Sequence, residues 1–143
     1  MKYIYIIVLI IFYSCINRDK EIEGIYVSVA LQDFADSRDI DYCILLNKSL
    51  HFHKGRIKEF SLLCFDGVGS YDHGGVLIDL IAKIGQDKFI EELSNTTQNE
   101  RLLIRTTLEG GLEYHHNPIY HEIKLNVIYP KVFNFLSKIE IVK

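Results

Sequence analysis

The sequence predicts a mainly helical single domain. Apolar residues recur three and four positions apart along most of the chain, and glycines or capping residues fall at the ends of these stripes. Only two short segments alternate between apolar and polar residues, as strands do. We therefore expect five or six helices over residues 23–143, with at most one short two-stranded β element. An α+β fold is the alternative.

The two candidate strands lie far apart in the chain. Residues 25–29 alternate and predict a short strand or an extended arm, whereas residues 31–39 are polar and irregular. Residues 119–128 also alternate, but they contain apolar residues four apart that leave a helix open, namely Ile119, Ile123 and Val127. If both segments are strands, we expect them to pair with each other.

Two helices joined by a short turn are predicted for residues 41–67. Asp39 or Asp41 suits the N-cap of the first helix, because a carboxylate accepts from the free N–H groups at a helix start. Residues 53–55 are polar and contain glycine, so they are expected to form the turn. Gly67 is expected to end the second helix.

Two cysteines fall symmetrically in this predicted helical hairpin. Cys43 and Cys64 lie at equal distances from the turn and on the predicted core faces of the two helices. A disulfide is possible if the two Cα atoms come within about 4.4–6.8 Å. The alternative is a pair of buried free thiols.

A glycine-rich segment, Asp66–Gly75, leads into the next predicted helix. Ser70 suits the N-cap of that helix, and Asp72 would lie in the first turn, where a negative charge suits the helix dipole. The segment lacks the motifs of dinucleotide- and phosphate-binding loops. We therefore interpret the glycines at 74–75 as packing residues, which let another helix or the Tyr71 ring approach the backbone.

The second half of the chain carries clear helix boundaries. Gly85 is expected to end the glycine-rich helix, and a short helix is predicted for residues 86–93. The segment Thr97–Glu100 is a capping box, and the helix it opens is expected to end at the glycines at 110–111. Pro130 suits the first turn of a last helix.

The first fifteen residues form an export segment. Lys2 supplies a positive start, residues 3–13 are uninterruptedly apolar, and the small residue Ser14 directly precedes Cys15. The apolar run is shorter than the about 20 residues that a membrane-crossing helix needs. A short apolar run behind a positive start is typical of a signal peptide.

The junction of Ser14 and Cys15 resembles the lipobox of bacterial lipoprotein signal peptides, although Phe12 and Tyr13 occupy positions where lipoboxes prefer Leu and a small residue. The resemblance implies that residues 1–14 are removed and that Cys15 becomes an N-terminus carrying palmitate-type acyl chains. Residues 15–22 would then be a lipidated tether. More than one acyl chain gives stable anchoring. The implied location is the bacterial cell envelope, on its periplasmic or surface face. An ordinary secretory signal and a short uncleaved anchor are the alternatives.

Composition limits the partners of the remaining 129 residues. The full chain of 143 residues has a formal net charge of −3, which becomes about −4 when Lys2 is removed with residues 1–14. Nucleic-acid binders show basic patches, so this mild acidity predicts no nucleic-acid partner. The expected partners are the membrane, through the N-terminal lipid, and another envelope protein.

The histidines are the main concentration of residues that could carry chemistry. Their spacing matches no zinc motif, so neither a metal nor another cofactor is expected, and no catalytic residue is predicted. If the chain has a binding site, the candidates are five residues that the fold would have to bring together: Tyr71, Asp72, His73, His115 and His116.

Three functions follow as hypotheses. The first is a non-enzymatic, lipid-anchored binding or structural domain. The second is an immunity- or inhibitor-type protein acting by surface contact, which an exposed row of aromatic and acidic residues would favour: Asp36, Asp39, Tyr114 and Tyr120. The third is a metal-dependent or hydrolytic enzyme, which would require Asp72 and His73 to meet His115 or His116 in one concave pocket.

Overall fold

Helices dominate the computed structural model, which describes residues 19–138. Eight α-helices and one two-stranded sheet occur within this range, so the mainly helical class with a short β element is confirmed, whereas the expected number of five or six helices was too low. In chain order the elements are β1 (Lys20–Ile22), β2 (Ile25–Val27), α1 (Val29–Asp36), α2 (Tyr42–Leu50), α3 (Arg56–Ser61), α4 (Val68–Ile84), α5 (Gln86–Glu92), α6 (Gln98–Glu113), a 3₁₀ turn (Pro118–Tyr120), α7 (Leu125–Ile128) and α8 (Pro130–Leu136).

The small sheet is an antiparallel hairpin of β1 and β2, with Ile22 opposite Ile25. Its turn places Gly24 at φ 82°, in the left-handed region that glycine adopts freely. The strand predicted at residues 25–29 is present in part, but its partner is residues 20–22, which were assigned to the tether. Residues 119–128 form the 3₁₀ turn and α7 instead of a strand.

Helix α1 occupies residues that were predicted to be irregular. Ser28 caps it, since its Oγ accepts from the N–H of Leu31 at 3.1 Å. Leu31 and Ala35, four positions apart, are the two buried residues of this helix. The helix is only eight residues long, and two of its positions reach the core, so its periodic signal is weak and was missed in the sequence pattern.

The cysteines do not face each other across a hairpin. Asp41 caps α2, as predicted, because its Oδ1 accepts from the N–H of Ile44 at 3.1 Å. Helix α3, however, ends at Ser61, so Cys64 lies beyond it and is exposed. Cys43 is half-buried, and both thiols are free. The expectation that both lie on core faces was therefore wrong, and the segment returns to the core through Phe65 instead.

The contact between α4 and α6 is the most extensive helix pairing in the described structure. The two helices cross backbone against backbone at Gly74 and Gly111. A Cβ on Gly74 would lie 2.1 Å from the carbonyl oxygen of Thr107 and 2.7 Å from the Cα of Gly111. The predicted packing role of Gly74 is confirmed. The glycines at 110–111 do not end α6, which continues to Glu113.

The boundaries of α4 and α6 show which helix signals were correct. Gly85 ends α4 at φ 84°, and the capping box of α6 is complete, with Thr97 N–H to Glu100 Oε2 at 2.7 Å. The start of α4 was placed wrongly. Gly67 at φ 57° is its N-cap, so Ser70 lies inside the first turn, and Gly67 does not end the preceding helix.

The C-terminal elements complete the core around α4. Pro130 occupies the first turn of α8, as predicted, and Val132 and Leu136 of that helix are buried. The Tyr129 hydroxyl donates to the carbonyl of Ile78 at 3.1 Å and so ties this region to α4. Within residues 19–138, no helix combines the length and the apolar character needed to cross a membrane.

Gly74→Ala is expected to lower the free energy of unfolding by at least about 2–3 kcal/mol, because the new methyl would overlap the backbone of α6. Gly75→Ala is the matched control in the same turn. Its Cβ would contact the His115 ring at an ordinary van der Waals distance of 3.5 Å. The free energy of unfolding is therefore expected to stay the same or to rise by up to about 1 kcal/mol. Urea denaturation of both variants checks the prediction. Equal stability of the two variants would contradict it.

Candidate functional site

The helix crossing at Gly74 creates one polar depression on the surface. There the start of α4 and the end of α6 meet the junction between β2 and α1. The depression has a volume of about 20 Å³, room for about one water molecule or ion. Nine residues from these three regions line it: Tyr26, Ser28, Tyr71, Asp72, Gly75, Val76, Tyr114, His115 and His116.

Local geometry explains why these side chains reach the depression. Tyr26 is the middle residue of β2 and points away from the core, because its neighbours Ile25 and Val27 point inward. Positions 71, 72, 75 and 76 lie on one face of α4, being three and four apart. The residues from 114 to 116 follow the last turn of α6.

Three tyrosines and a histidine form the exposed rim of the depression, and we call Tyr26, Tyr71, Tyr114 and His116 the aromatic surface. The rings of Tyr71 and Tyr114 lie 4.3 Å apart between centroids, and those of Tyr26 and His116 lie 4.9 Å apart. The tyrosines are 36%, 39% and 53% exposed in chain order. Gly110 makes room for the Tyr71 ring, since a Cβ there would lie 3.1 Å from it.

Carboxylates stand beside these rings. Asp72 accepts a 2.5 Å hydrogen bond from the Ser28 hydroxyl, which joins the β2–α1 junction to α4. Partial burial, followed by a hydrogen bond to Asp19, raises the pKa of Tyr26. The charge of Glu113 raises the pKa of Tyr114. Both phenols are therefore neutral at physiological pH and present protonated hydroxyls at the rim.

The two adjacent histidines occupy different environments. His115 is buried, and its Nδ1 accepts from the N–H of Asn117 at 3.0 Å. Its Nε2 lies 3.3 Å from Asp79 Oδ1 but makes no well-formed hydrogen bond within the part of the chain that the structure describes. His116 lies at the surface with its ring centroid 4.3 Å from that of His115. Partial burial, followed by the neighbouring His115, lowers the pKa of His116.

His73 does not belong to the depression. It is fully buried, and its Nδ1 lies 2.7 Å from the Tyr42 hydroxyl. The rings of Phe60 and Phe65 pack edge-on against it. Burial lowers the pKa of His73 to about 3. It is therefore a neutral core residue, and the Asp72–His73 pair required by the enzyme hypothesis does not form.

Adjacent positions on a helix project about 100° apart, which explains this separation. Asp72 faces the depression, and His73 faces the core. Of the five candidate residues named from the sequence, four line the depression: Tyr71, Asp72, His115 and His116.

Sequence analysis missed Asp79, which adds a metal-ligand type of residue to the site. One ligand atom each from Asp79, His115 and His116 lies within 4.8 Å of the others. The signal was present in the sequence, because Asp79 is seven residues after Asp72 and hence on the same helix face. It is also the only acidic residue in the apolar second half of α4.

A larger groove of about 560 Å³ lies between α6, α8 and the residues 121–126. Its volume falls in the range of small-molecule sites. Two of its charged groups, Arg105 and Glu109, are engaged with each other, however. Arg105 donates to Glu109 at 2.9 Å and to Ser137 at 3.2 Å, and it stacks over the Phe133 ring. The depression at Gly75 is therefore the better candidate site.

Comparisons with protein-family models, curated proteins and solved structures yield no match.

The burial of His73 predicts a pH dependence of stability. The folded pKa of about 3 lies below the about 6.5 of an unfolded histidine. Between these two pKa values, His73 carries a proton in the unfolded chain but not in the folded chain. The free energy of unfolding therefore falls as the pH drops through this window. His73 alone contributes about 1.4 kcal/mol per pH unit.

Two measurements check this prediction. Urea denaturation between pH 6.5 and pH 4.5 should show the loss of stability. The ring signals of His73 in NMR spectra of the folded protein should stay constant over the same range, and a His73 ring that titrates near pH 6 would contradict the assignment.

Proposed function

We propose that this chain is a lipid-anchored protein of a bacterial envelope that binds another envelope protein through the aromatic surface, without catalysing a reaction. The observation that carries the proposal is the cluster of four exposed aromatic and imidazole rings around a depression of only about 20 Å³. Such a depression has no room for an organic substrate, whereas exposed tyrosines are typical anchors of protein interfaces.

The charges around these rings suggest the chemistry of the partner. Asp72 and Glu113 stand beside Tyr71 and Tyr114, and the whole chain has a formal net charge of −3. Aromatic faces and carboxylates together attract guanidinium and ammonium groups. We therefore expect the partner to present arginine or lysine side chains to this surface.

The position of the aromatic surface relative to the proposed anchor supports an envelope partner. Asp19 lies beside the surface, where it contributes to the raised pKa of Tyr26. Its carboxylate accepts a hydrogen bond from the N–H of Val29, two residues after the strand of Tyr26, at 3.1 Å. Asp19 is four residues after Cys15, a distance of at most about 14 Å along an extended chain. A lipidated Cys15 would therefore hold the aromatic surface close to the membrane.

The side chains at the depression favour binding over catalysis. The Ser28 hydroxyl donates to Asp72, and its oxygen also accepts from the N–H of Leu31 as the cap of α1. Cys43 does not line the depression. Burial raises the pKa of its thiol, which disfavours the thiolate.

An immunity- or inhibitor-type role is the second candidate. It is favoured by the exposure of Asp36, Asp39 and Tyr114. Tyr120, the fourth residue of the predicted row, is half-buried with its ring against His115. Both candidate functions act through surface contact. They differ in the partner, which would be a toxin for the immunity- or inhibitor-type role.

Anchoring is tested with Cys15→Ala. The parent chain is expected to lose residues 1–14, to gain acyl mass and to partition with membranes, whereas the variant should do none of these. Intact-mass measurement and membrane fractionation after expression in a bacterium give the answer. Identical behaviour of the two chains would refute lipid anchoring.

Partner binding is tested by photocrosslinking in the native host. Benzoylphenylalanine at Tyr114 is expected to give a discrete crosslinked band, and the adduct is identified by mass spectrometry as a protein of the envelope. The control carries the same group at Leu102, which is 60% exposed and about 18 Å away along α6. Tyr71→Ala should weaken the band at Tyr114. A band of equal intensity at both positions, or none at Tyr114, would argue against the proposal.

A further inference from the structure

The group formed by Asp79, His115 and His116 has the composition of a transition-metal site. Two imidazoles and one carboxylate offer ligand atoms within 4.8 Å of one another. Three such ligands with a water molecule in the fourth position are a common zinc arrangement. The adjacent depression of about 20 Å³ leaves room for that water.

The separation between the two inner ligands already fits a tetrahedral ion. His115 Nε2 and Asp79 Oδ1 are 3.3 Å apart. Two ligand atoms at about 2.0–2.1 Å from a tetrahedral zinc ion lie about 3.4 Å apart. His116, which lies at the surface, is the ligand that must move inward.

A second observation points to a missing ligand at the same place. The side chain of His115 is 1% exposed, yet its Nε2 makes no hydrogen bond with any of the described residues 19–138. A buried polar atom without a partner is costly, and native proteins rarely leave one in that state. This nitrogen faces the Asp79 carboxylate, so a cation between them would satisfy both groups.

We infer that Asp79, His115 and His116 bind one divalent transition-metal ion of the zinc class. This inference does not rest on the proposed function, because the ion would sit behind the aromatic surface whether or not that surface binds a protein. The cause of the convergence is the helix crossing at Gly74, which brings the end of α6 over the Gly75 turn of α4.

Binding requires one local change. The N–H of Asn117 now donates to His115 Nδ1, so the proton of the neutral ring resides on Nε2. Coordination through Nε2 moves this proton to Nδ1 and breaks the Asn117 hydrogen bond. Two donors then face each other at a buried nitrogen, which lowers the affinity by about 5- to 150-fold. The Asn117 amide therefore reports directly on occupancy of Nε2.

The first experiment is calorimetric titration of the full chain in detergent micelles with zinc chloride, after removal of metal with a chelator. One ion per chain is expected. His116→Ala and Asp79→Asn should each weaken binding by on the order of 100-fold or more, since even the loss of an outer-shell partner costs about 10–100-fold. His116 is exposed, so its replacement is not expected to prevent folding.

The control variant is His51→Ala/His53→Ala/Cys64→Ser. It removes three exposed ligand-type residues outside the group, and it should bind zinc as tightly as the parent chain. Loss of binding in this control, or retention of tight binding in His116→Ala, would overturn the inference and assign the zinc to adventitious surface sites. An absence of saturable binding to the parent chain would also overturn it.

The second experiment follows the amide signals by ¹⁵N NMR during the same titration. The Asn117 signal should shift with saturation in the parent chain and stay constant in His116→Ala at the same zinc concentration. An unchanged Asn117 signal in the saturated parent chain would overturn the assignment of His115 Nε2 as a ligand.

Discussion

The close contact between Gly74 and Gly111 is the constraint on which the rest of the structure depends. At this point the backbones of α4 and α6 touch without intervening side chains, and a methyl group on either residue would collide with the opposite helix. Close approach of this kind makes dispersion contacts along both helices, which are individually small but collectively large. It also fixes the position along α4 at which the end of α6 crosses it. The location of residues 114–116 beside α4 follows from this crossing.

The same helix α4 serves the core and the surface through neighbouring residues. His73 turns inward to the Tyr42 hydroxyl and an aromatic cluster, where burial keeps the imidazole neutral. Asp72 turns outward and receives the Ser28 hydroxyl. A buried polar pair such as Tyr42 and His73 is tolerated because the hydroxyl and the ring nitrogen satisfy each other. The depression is therefore built from one side of the helix that also organises the core.

The proposed binding role and the inferred metal site use different layers of this region. The aromatic surface lies outermost and offers large, rigid rings beside carboxylates, a combination suited to a cationic protein surface. Asp79 and His115 lie beneath it, where a carboxylate and a nitrogen without a hydrogen bond face each other. His116 belongs to both layers, because an ion in the lower layer would draw it inward from the aromatic surface.

Features that depend on neighbouring residues were predictable from the sequence. Helical class, the caps at Asp41 and Thr97, the stop at Gly85 and the start at Pro130 follow from local hydrogen bonding and backbone preference, which a short window contains. Helix α1 and the early end of α3 were missed, because tertiary packing overrides weak local patterns.

The set of residues that forms the site depends instead on how the helices pack. The sequence analysis grouped Asp72 with His73 as candidate site residues. In the structure, however, Asp72 lies at the depression and His73 lies in the core. The sequence pattern missed Asp79, which becomes relevant only when α6 delivers His115 and His116 to the same turn of α4. That convergence depends on a contact between residues 37 positions apart, Gly74 and Gly111. No periodicity along the chain can encode which two helices will touch, because the contact arises from the packing of whole surfaces.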